Sequence, residues 1–442
     1  MVSVLANALE RLRLDPPPLD NIASVEFRAE HAPSMINETG TAPEEVLRVF
    51  TEVLAPAVIS VDSPRYFSFI PTVPTKASLL FDLVVSAGSL NGISWLDASG
   101  AVWAENQALR FLSDLCGLPP AAGGCFVAGG SAANLSALAV ARDVHRHHHP
   151  EILGQRRLLV GAGSHSSVYN TARLLDMGII AVETSDPSGR LTADAIANAI
   201  AADPDPATIC AISATAGATN TGVVDDLAAA AEAAATHGWW FHVDAAYGGG
   251  ALLATERNPY FAGIERADSV TIDPHKWLFA PFDCGAVLYR DPSLAKPTHT
   301  QSASYLDVLH DGVEDDWNPS DYAYHLTRRA RGLPLWFSLS VYGVAAYRRA
   351  VDRAIELTAY AGQAIRTNPN LELCLEPELS VCVFRRTGWT LAEYQAWSDR
   401  LLEEQIAFVV PTKWKNEAVL RMVFMHPDTT EAIIDEVLGT LA

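Results

Sequence analysis

The sequence has little cysteine and no long apolar run. Its 442 residues include six cysteines, which are scattered along the chain without a CxxC pair. In a chain of this length, that pattern indicates reduced thiols and not a disulfide framework, so we expect a cytosolic protein. No stretch approaches the roughly 18 uninterrupted apolar residues that a membrane-spanning helix needs, so we expect no membrane span.

Positive charge is also scarce. Lysine and arginine number 31 against 52 aspartates and glutamates, which gives a formal net charge of -21 at pH 7. Such an excess of negative charge repels phosphate backbones and anionic lipid, so we expect neither nucleic acid nor a membrane surface as a partner. The histidines at His145, His147, His148 and His149 have spacings that do not converge on one ion. We interpret them as a solvated helix end and predict no metal site.

From about residue 123, short apolar runs alternate with alanine- and leucine-rich helical stretches. The predicted strands are Phe126–Ala128, Leu158–Val160, Ile179–Ala181, Ile209–Ser213, Trp240–Val243 and Val270–Ile272. Strands spaced by helices in this way predict an α/β fold with a largely parallel sheet covered on both faces. We predict three regions: an N-terminal helical segment at 1–80, a large domain at 81–330 and a small α+β domain at 331–442.

Polar residues follow these strands at their carboxyl ends, where open α/β sheets bind ligands. The segments are Gly129-Gly130-Ser131, Ser164-His165, Thr215–Thr219, Asp244–Ala246 and Asp273–Lys276. The first is a glycine-rich turn that runs into a helix. Its backbone N–H groups, the helix dipole and the Ser131 hydroxyl suit a phosphate group, although a plain helix cap is the alternative.

A lysine, an aspartate and a histidine in these segments suit the cofactor pyridoxal 5′-phosphate (PLP). PLP needs an amine that condenses with its aldehyde and an acid that faces its pyridine nitrogen. Lys276, in TIDPHKW, provides the amine, and a solvated surface lysine is the alternative. Asp244 ends the apolar run WWFHV and provides the acid, with a helix N-cap as its alternative. His165, in SHSSV, is able to stack on the ring, or is simply a loop histidine.

In chain order, these segments resemble the group II PLP-dependent decarboxylases, which include the aromatic-L-amino-acid and glutamate decarboxylases. The resemblance runs from PRYFSFIPT through GGSAANLSALAVAR, HVDAAYGG and DPHKWL to RRARGLPLWF, and covers roughly residues 45–440. It implies PLP fold type I, with a mostly parallel seven-stranded sheet and a smaller α+β C-terminal domain. It also implies a homodimer and decarboxylation of an L-amino acid to its amine through a quinonoid carbanion.

The resemblance assigns roles residue by residue. Lys276 matches the Schiff-base lysine, Asp244 the partner of the pyridine nitrogen and His165 the ring-stacking histidine. The other implied cofactor contacts are Gly130, Ser131, Thr219, Ala246 and His275. The implied substrate contacts are Thr72, Phe69, Asn91 and Ile93, which permit an apolar or aromatic side chain.

The sequence departs from the family pattern at the proton donor. Family members carry a mobile loop before RRxRxLxLW, with a tyrosine that protonates the α-carbon. At the usual distance of this tyrosine before the motif, which begins here at Arg328, the sequence has Pro319. Tyr305, His310, Tyr322 and Tyr324 are all nearby, and we predict Tyr322 as the donor.

The composition of the loop, residues 307–321, with Gly312 and acidic neighbours, predicts a mobile, solvated segment. The departure leaves other reactions of the same fold open: an aminotransferase, a retro-aldol lyase, or a decarboxylation-coupled oxidative deaminase that gives an aldehyde. A non-catalytic PLP-binding protein is the alternative from another class. The retention of Lys276, Asp244 and His165 together favours an enzyme.

Overall fold

The computed structural model describes residues 2–32, 34–309 and 317–441. The chain divides into two compact units. The larger comprises Pro74–Ile355 and Pro377–Ser380, and the smaller comprises Met1–Val73, Glu356–Glu376 and Val381–Ala442. The boundaries that we predict at residues 80 and 330 stay a prediction.

In the described part of the chain, seven strands form the sheet of the larger unit. They are β1 (Gly123–Val127), β2 (Arg157–Gly161), β3 (Gly178–Val182), β4 (Ile209–Thr215), β5 (Trp240–Asp244), β6 (Ser269–Ile272) and β7 (Gly285–Tyr289). Their order is β1-β7-β6-β5-β4-β2-β3. The neighbours β3 and β2, β2 and β4, β4 and β5, and β5 and β6 are parallel. β7 is antiparallel to both of its neighbours, β6 and β1. The predicted α/β fold with a mostly parallel seven-stranded sheet is confirmed.

Fourteen α-helices are present in the described residues. They are α1 (Val2–Arg11), α2 (Val25–His31), α3 (Pro43–Val49), α4 (Lys76–Ala87), α5 (Trp95–Leu115), α6 (Gly130–His148), α7 (Ser166–Leu174), α8 (Ala193–Ala202), α9 (Leu227–His237), α10 (Lys296–His299), α11 (Leu333–Tyr342), α12 (Val344–Thr367), α13 (Leu391–Glu403) and α14 (Glu431–Gly439). Local sequence sets their ends. The Asp226 side chain accepts a hydrogen bond from the Ala229 N–H at the start of α9, and Gly238 ends that helix with a φ of 69°.

The core of the larger unit lies between the sheet and α6. Every residue of β4 and β5 is buried, as expected for strands that helices cover on both faces. Small alanines on α6, including Ala133 and Ala137, belong to the same apolar cluster as Leu158 and Val160 of β2. This packing holds the first turn of α6 at the carboxyl edge of the sheet, where the polar segments converge.

The smaller unit contains an antiparallel sheet. Its strands are β8 (Leu371–Leu373), β9 (Val381–Arg386), β10 (Thr412–Trp414) and β11 (Glu417–Val423), in the order β10-β11-β9-β8. Phe67, Phe384, Trp397 and Phe424 are buried together in its core. The predicted smaller α+β domain toward the C-terminus is therefore confirmed as a fold class. In the described ranges, no helix has the length and apolarity to cross a membrane.

Candidate active site

A cavity of about 350 Å³ lies in the larger unit at the carboxyl ends of its central strands. All eight residues that we predict to contact the cofactor line it: Gly130, Ser131, His165, Thr219, Asp244, Ala246, His275 and Lys276. They come from segments up to 146 residues apart in sequence, between Gly130 and Lys276, and the sheet brings them together.

Lys276 lies in the turn that follows β6. Its Nζ is 3.0 Å from Oδ2 of Asp273, and the Asp273 side chain is almost fully buried. Oδ1 of Asp273 has no hydrogen-bond partner within the described residues. Nε2 of His275 is 3.7 Å from Oδ2 of the same carboxylate. The amine of Lys276 is therefore held beside the cavity by a carboxylate that retains spare acceptor capacity.

Asp244 is the last residue of β5 and is 5% exposed. Its Oδ1 accepts a hydrogen bond from the Ala246 N–H at 3.1 Å, and its Oδ2 accepts one from Nδ2 of Asn134 at 2.8 Å. The carboxylate is thus fixed from two sides and still lines the cavity. This geometry suits a group that carries a positively charged N–H.

His165 immediately precedes α7. Its Nδ1 accepts hydrogen bonds from the Ser167 N–H at 3.2 Å and from the Ser167 hydroxyl at 2.8 Å. Because a backbone N–H only donates, Nδ1 carries no proton, and the neutral ring is protonated at Nε2. The imidazole that lines the cavity therefore has a defined tautomer.

The first turn of α6 borders the same cavity. Within the described residues, the N–H groups of Gly130 and Ser131 have no hydrogen-bond partner, as is usual for the first turn of a helix. A Cβ atom on Gly130 would lie 2.9 Å from Oδ2 of Asp273 and 3.1 Å from Cβ of Ala246. A side chain at this position would fill the space between α6, Asp273 and Ala246, so with glycine the backbone itself faces the cavity.

His275 is the other polar side chain of this part of the cavity. Its Nδ1 accepts a hydrogen bond from the Cys284 N–H at 3.0 Å, so the neutral ring is protonated at Nε2. Burial lowers the pKa of His275, which favours that neutral form.

These donors and acceptors fit PLP. Two free amides and a hydroxyl at the start of a 19-residue helix suit a phosphate group. A fixed carboxylate suits the N–H of a pyridinium ring, and the amine of Lys276 suits an aldehyde. The arrangement provides each contact that the cofactor requires in a single cavity.

Tyr322 is not among the residues that line this cavity. Its side chain is 2% exposed and stacks on Trp317, with ring centroids 4.1 Å apart, and burial raises its pKa. Tyr305 and Tyr324 are 72% and 51% exposed, and His310 lies outside the described residues. The proton donor stays a prediction.

The end of the segment that we predict to be solvated is packed instead. Asn318, Ser320 and Asp321 are each less than 5% exposed. Oδ1 of Asn318 accepts a hydrogen bond from the Trp95 N–H, and Oδ1 of Asp321 accepts one from the Thr300 hydroxyl. The prediction is wrong for these residues because other protein groups bond to them: the Asn318 and Asp321 side chains bond as described, and the Ser320 N–H donates to the Ile93 carbonyl. Residues 310–316 lie outside the described part.

The predicted substrate residues do not line the cavity. Asn91 belongs to a second cavity of about 670 Å³ between α4, α5 and α11, and its Nδ2 donates to Asp97. Ile93 is 9% exposed. Thr72 and Phe69 belong to the smaller unit, where the Thr72 hydroxyl donates to the Met425 carbonyl. Their substrate roles stay predictions.

The predicted solvated histidine cluster is wrong for its first member. His145 is 6% exposed, and its Nδ1 accepts a hydrogen bond from Nε of Arg156 at 2.9 Å. Arg156 is itself 3% exposed, so the arginine replaces water as the partner of the ring. His147 and His148, by contrast, are exposed.

Sequence reasoning gave no role to Asn134 or to Asp273, which both line the cavity and bond to its predicted residues. A signal was present for the first. His242 and Asp244 alternate along a buried strand, and a buried histidine needs a partner on the helix above. Asn134 is the amide that α6 provides.

The sequence model of the pyridoxal-dependent decarboxylase conserved domain matches residues 28–387. The aromatic-L-amino-acid decarboxylase of Bacillus atrophaeus is 31% identical over 407 residues, which cover 89% of this chain and 84% of that protein. The L-2,4-diaminobutyrate decarboxylase of Rhizobium meliloti (strain 1021) is 29% identical over 373 residues, 82% of this chain and 74% of that protein. The structure of Oryza sativa TDC with PLP and tryptamine matches with a TM-score of 0.89 at 24% identity, and covers 100% of this chain and 96% of that chain.

Proposed function

Because the chain belongs to the family of pyridoxal-dependent decarboxylases, we propose that it converts an L-amino acid into the corresponding amine and carbon dioxide. Family membership establishes a PLP-dependent amino-acid decarboxylase in general terms. The observation that carries the finer proposal is the convergence of the Lys276 amine, the Asp244 carboxylate and the free amides of α6 in one cavity.

PLP, when bound, supplies an aldehyde for amine exchange and a ring that withdraws electrons from the α-carbon of the substrate. Lys276 provides the amine that holds the cofactor and that the amino group of the substrate displaces. Asp273, whose Oδ2 lies 3.0 Å from this amine, would stabilise the amine in its protonated form when it is not bonded to the cofactor. Asp244 would accept a hydrogen bond from the ring N–H and keep that nitrogen protonated, and His165 would contact the ring.

The phosphate contacts follow from the first turn of α6. The N–H groups of Gly130 and Ser131, with the Ser131 hydroxyl, would donate to phosphate oxygens, because they lie in the first turn of this helix. His275, protonated at Nε2, is a further donor at this edge. Thr219 and Ala246 also line the cavity and would contact the cofactor there.

We further propose a cytosolic homodimer. Support for the dimer comes from the apolar side chains that α4 and α5 expose, since Leu83, Leu96 and Trp103 are each more than half exposed. Apolar surface of this kind on a folded protein favours burial against a second chain. Support for the location is limited to the cysteines, all of which are free thiols.

Oxidative deamination to an aldehyde is the second candidate. Pro319 stands where the family carries its proton-donating tyrosine, and a site without a prompt proton donor would leave the α-carbon of the substrate open to reaction with oxygen. The 4-hydroxyphenylacetaldehyde synthase of Rhodiola rosea has the same fold, with a TM-score of 0.88 at 20% identity. The fold therefore does not separate an amine from an aldehyde product.

Mass spectrometry of the products from a panel of L-amino acids tests the proposal. The panel contains amino acids with aromatic, amine-bearing and acidic side chains, because the relatives include decarboxylases for each of these classes. We expect an amine from at least one class. A 2-oxo acid in place of the amine would identify an aminotransferase, and an aldehyde formed with uptake of oxygen would identify the oxidative reaction.

A further inference from the structure

A buried hydrogen-bond network extends from the cavity into the core of the larger unit. It consists of Asn134 on α6, Trp240 and His242 on β5, and Ser269 and Thr271 on β6. In the parallel pairing, His242 lies opposite Ser269 and Asp244 opposite Thr271, so these side chains share one face of the sheet. Asn134, His242, Ser269 and Thr271 are fully buried.

Asn134 is the residue at which the network meets the cavity. Its Nδ2 donates to Oδ2 of Asp244 at 2.8 Å and to the Ser167 oxygen at 3.0 Å. Its Oδ1 accepts from the Thr271 hydroxyl at 2.8 Å and from Nε2 of His242 at 3.0 Å. Because a carboxylate accepts and does not donate, the amide nitrogen must face Asp244. The side-chain amide therefore has one possible orientation, and all of its hydrogen-bonding positions are in use.

The proton positions behind Asn134 follow from this orientation. Oδ1 of Asn134 only accepts, so Nε2 of His242 carries a proton. Burial lowers the pKa of His242 to about 4, so the ring is neutral and Nδ1 accepts from the Ser269 hydroxyl at 2.8 Å. The Ser269 oxygen in turn accepts from the Trp240 indole N–H at 2.8 Å. Each group in this chain donates to the next, from Trp240 through Ser269 and His242 to Asn134. Hydrogen bonds aligned in this way polarise one another, which strengthens the bond from Asn134 to Asp244.

A second branch connects the same amide to His165. The Ser167 oxygen accepts from Nδ2 of Asn134, which leaves the Ser167 hydroxyl proton free to bond Nδ1 of His165 at 2.8 Å. One side chain thus restrains both the carboxylate and the imidazole that line the cavity.

We propose that Asn134 is a positioning residue for Asp244 and His165, and that His242 holds the Asn134 amide in the orientation in which its Nδ2 faces Asp244. This inference rests on the proposed function, in which Asp244 faces the ring nitrogen of the cofactor. Asp244 sits at the end of a strand, and among the described residues the Ala246 N–H is the one hydrogen-bond donor that would still restrain its carboxylate without Asn134. Asn134 therefore sets the affinity for PLP and the protonation of its ring nitrogen without contact to the reacting atoms.

Reconstitution of the apoprotein with PLP tests the proposal. Asn134→Leu keeps the approximate volume and removes the amide. We expect its dissociation constant for PLP to rise roughly tenfold to a hundredfold, by analogy with the loss of metal affinity when a hydrogen-bond partner of a metal ligand is removed. We also expect the absorbance spectrum of the bound cofactor to change its pH dependence. Ser136→Ala, a buried polar change on the same helix but outside the network, is the matched control and should leave both measurements unchanged.

A pair of variants at His242 keeps the test decisive if Asn134→Leu does not fold. His242→Gln retains an N–H that is able to reach Oδ1 of Asn134, whereas His242→Phe does not. We expect PLP affinity to be retained in the first and weakened in the second. Equal PLP affinity and equal spectra in the two His242 variants, or a wild-type dissociation constant and spectrum in Asn134→Leu, would overturn the proposal. Loss of apoprotein stability alone would show a structural role and would overturn it too.

Asp244→Asn, measured in parallel, separates this inference from the proposed function. If Asp244→Asn also leaves the PLP spectrum and affinity unchanged, then the role of Asp244 fails and the inference fails with it. If Asp244→Asn alters them and Asn134→Leu does not, only the positioning role fails.

Discussion

The Nζ atom of Lys276 lies 3.0 Å from Oδ2 of Asp273, a carboxylate whose other oxygen has no hydrogen-bond partner within the described residues. A buried acceptor of this kind is costly unless a ligand or water completes it. The unpartnered oxygen beside the Lys276 amine therefore marks a part of the cavity that suits a polar ligand.

Lys276→Ala should abolish turnover and the visible absorbance of the lysine-bound cofactor, because no other amine lines the cavity within the described residues. PLP should still bind through its phosphate, at the first turn of α6. Borohydride reduction of the wild type, followed by peptide mapping, should place the cofactor on the peptide that contains Lys276. Lys296→Ala, at an exposed lysine, is the control. A reducible imine that persists in Lys276→Ala would assign the cofactor to another lysine.

Asp244→Asn should fold normally and lose catalysis, since the amide keeps the size of the side chain but not its charge. We expect kcat to fall by roughly 10²-fold, the effect of removing one preorganised electrostatic partner. Steady-state kinetics beside circular dichroism would separate this from misfolding. A variant with near-normal kcat would show that the ring nitrogen does not depend on this carboxylate.

Tyr322→Phe tests the proton donor that we predict from the sequence. The ring is buried against Trp317, so from its position we expect amine formation to continue at close to the wild-type rate. Tyr322→Ala, in contrast, should cost about 3–5 kcal/mol of stability, as large-to-small changes of buried aromatic residues do. A slow Tyr322→Phe variant of normal stability that diverts to an aldehyde would instead support Tyr322 as the acid.

His145 should make the protein less stable in acid. Burial lowers its pKa to about 4, whereas a histidine in the unfolded chain titrates near 6.5. Between these values the unfolded chain binds a proton that the folded protein does not, so stability falls as the pH falls from 6.5 to 4. His145→Gln removes the titration, and its amide oxygen is still able to accept from Arg156. Urea unfolding at pH 7 and pH 4 should show a smaller loss in the variant, and equal losses would contradict the assignment.

Local sequence was sufficient for the parts of the fold that short-range rules govern. The apolar runs predicted β1 to β6, and the rule that ligands lie at strand ends selected Lys276, Asp244 and His165, which the structure brings to one cavity. The apolar run GAVLY of β7 was overlooked, although its composition suits a buried strand. Its antiparallel direction was not predictable, because pairing direction depends on how distant segments meet.

Long-range polar contacts explain the other differences. His145 and Asp321 have sequence neighbours typical of solvated segments, yet Arg156 and Thr300 bond them in buried positions. Asn134 belongs to an alanine-rich helix, and the packing of α6 against β5 and β6 determines which partners its amide meets. Sequence patterns indicate which side chains are polar, but the partner that buries each of them comes from tertiary packing.

The most direct test of the central claim is the stoichiometry of carbon dioxide, amine and oxygen for a substrate that the amino-acid panel identifies. The substrate carries a labelled α-carboxylate, and the three quantities are followed together in the wild type and in Lys276→Ala. We predict one labelled carbon dioxide and one amine per substrate consumed, with no uptake of oxygen, and neither product from Lys276→Ala. Consumption of the substrate with the label retained in a 2-oxo acid, or aldehyde formed with uptake of oxygen, would contradict amine-forming decarboxylation.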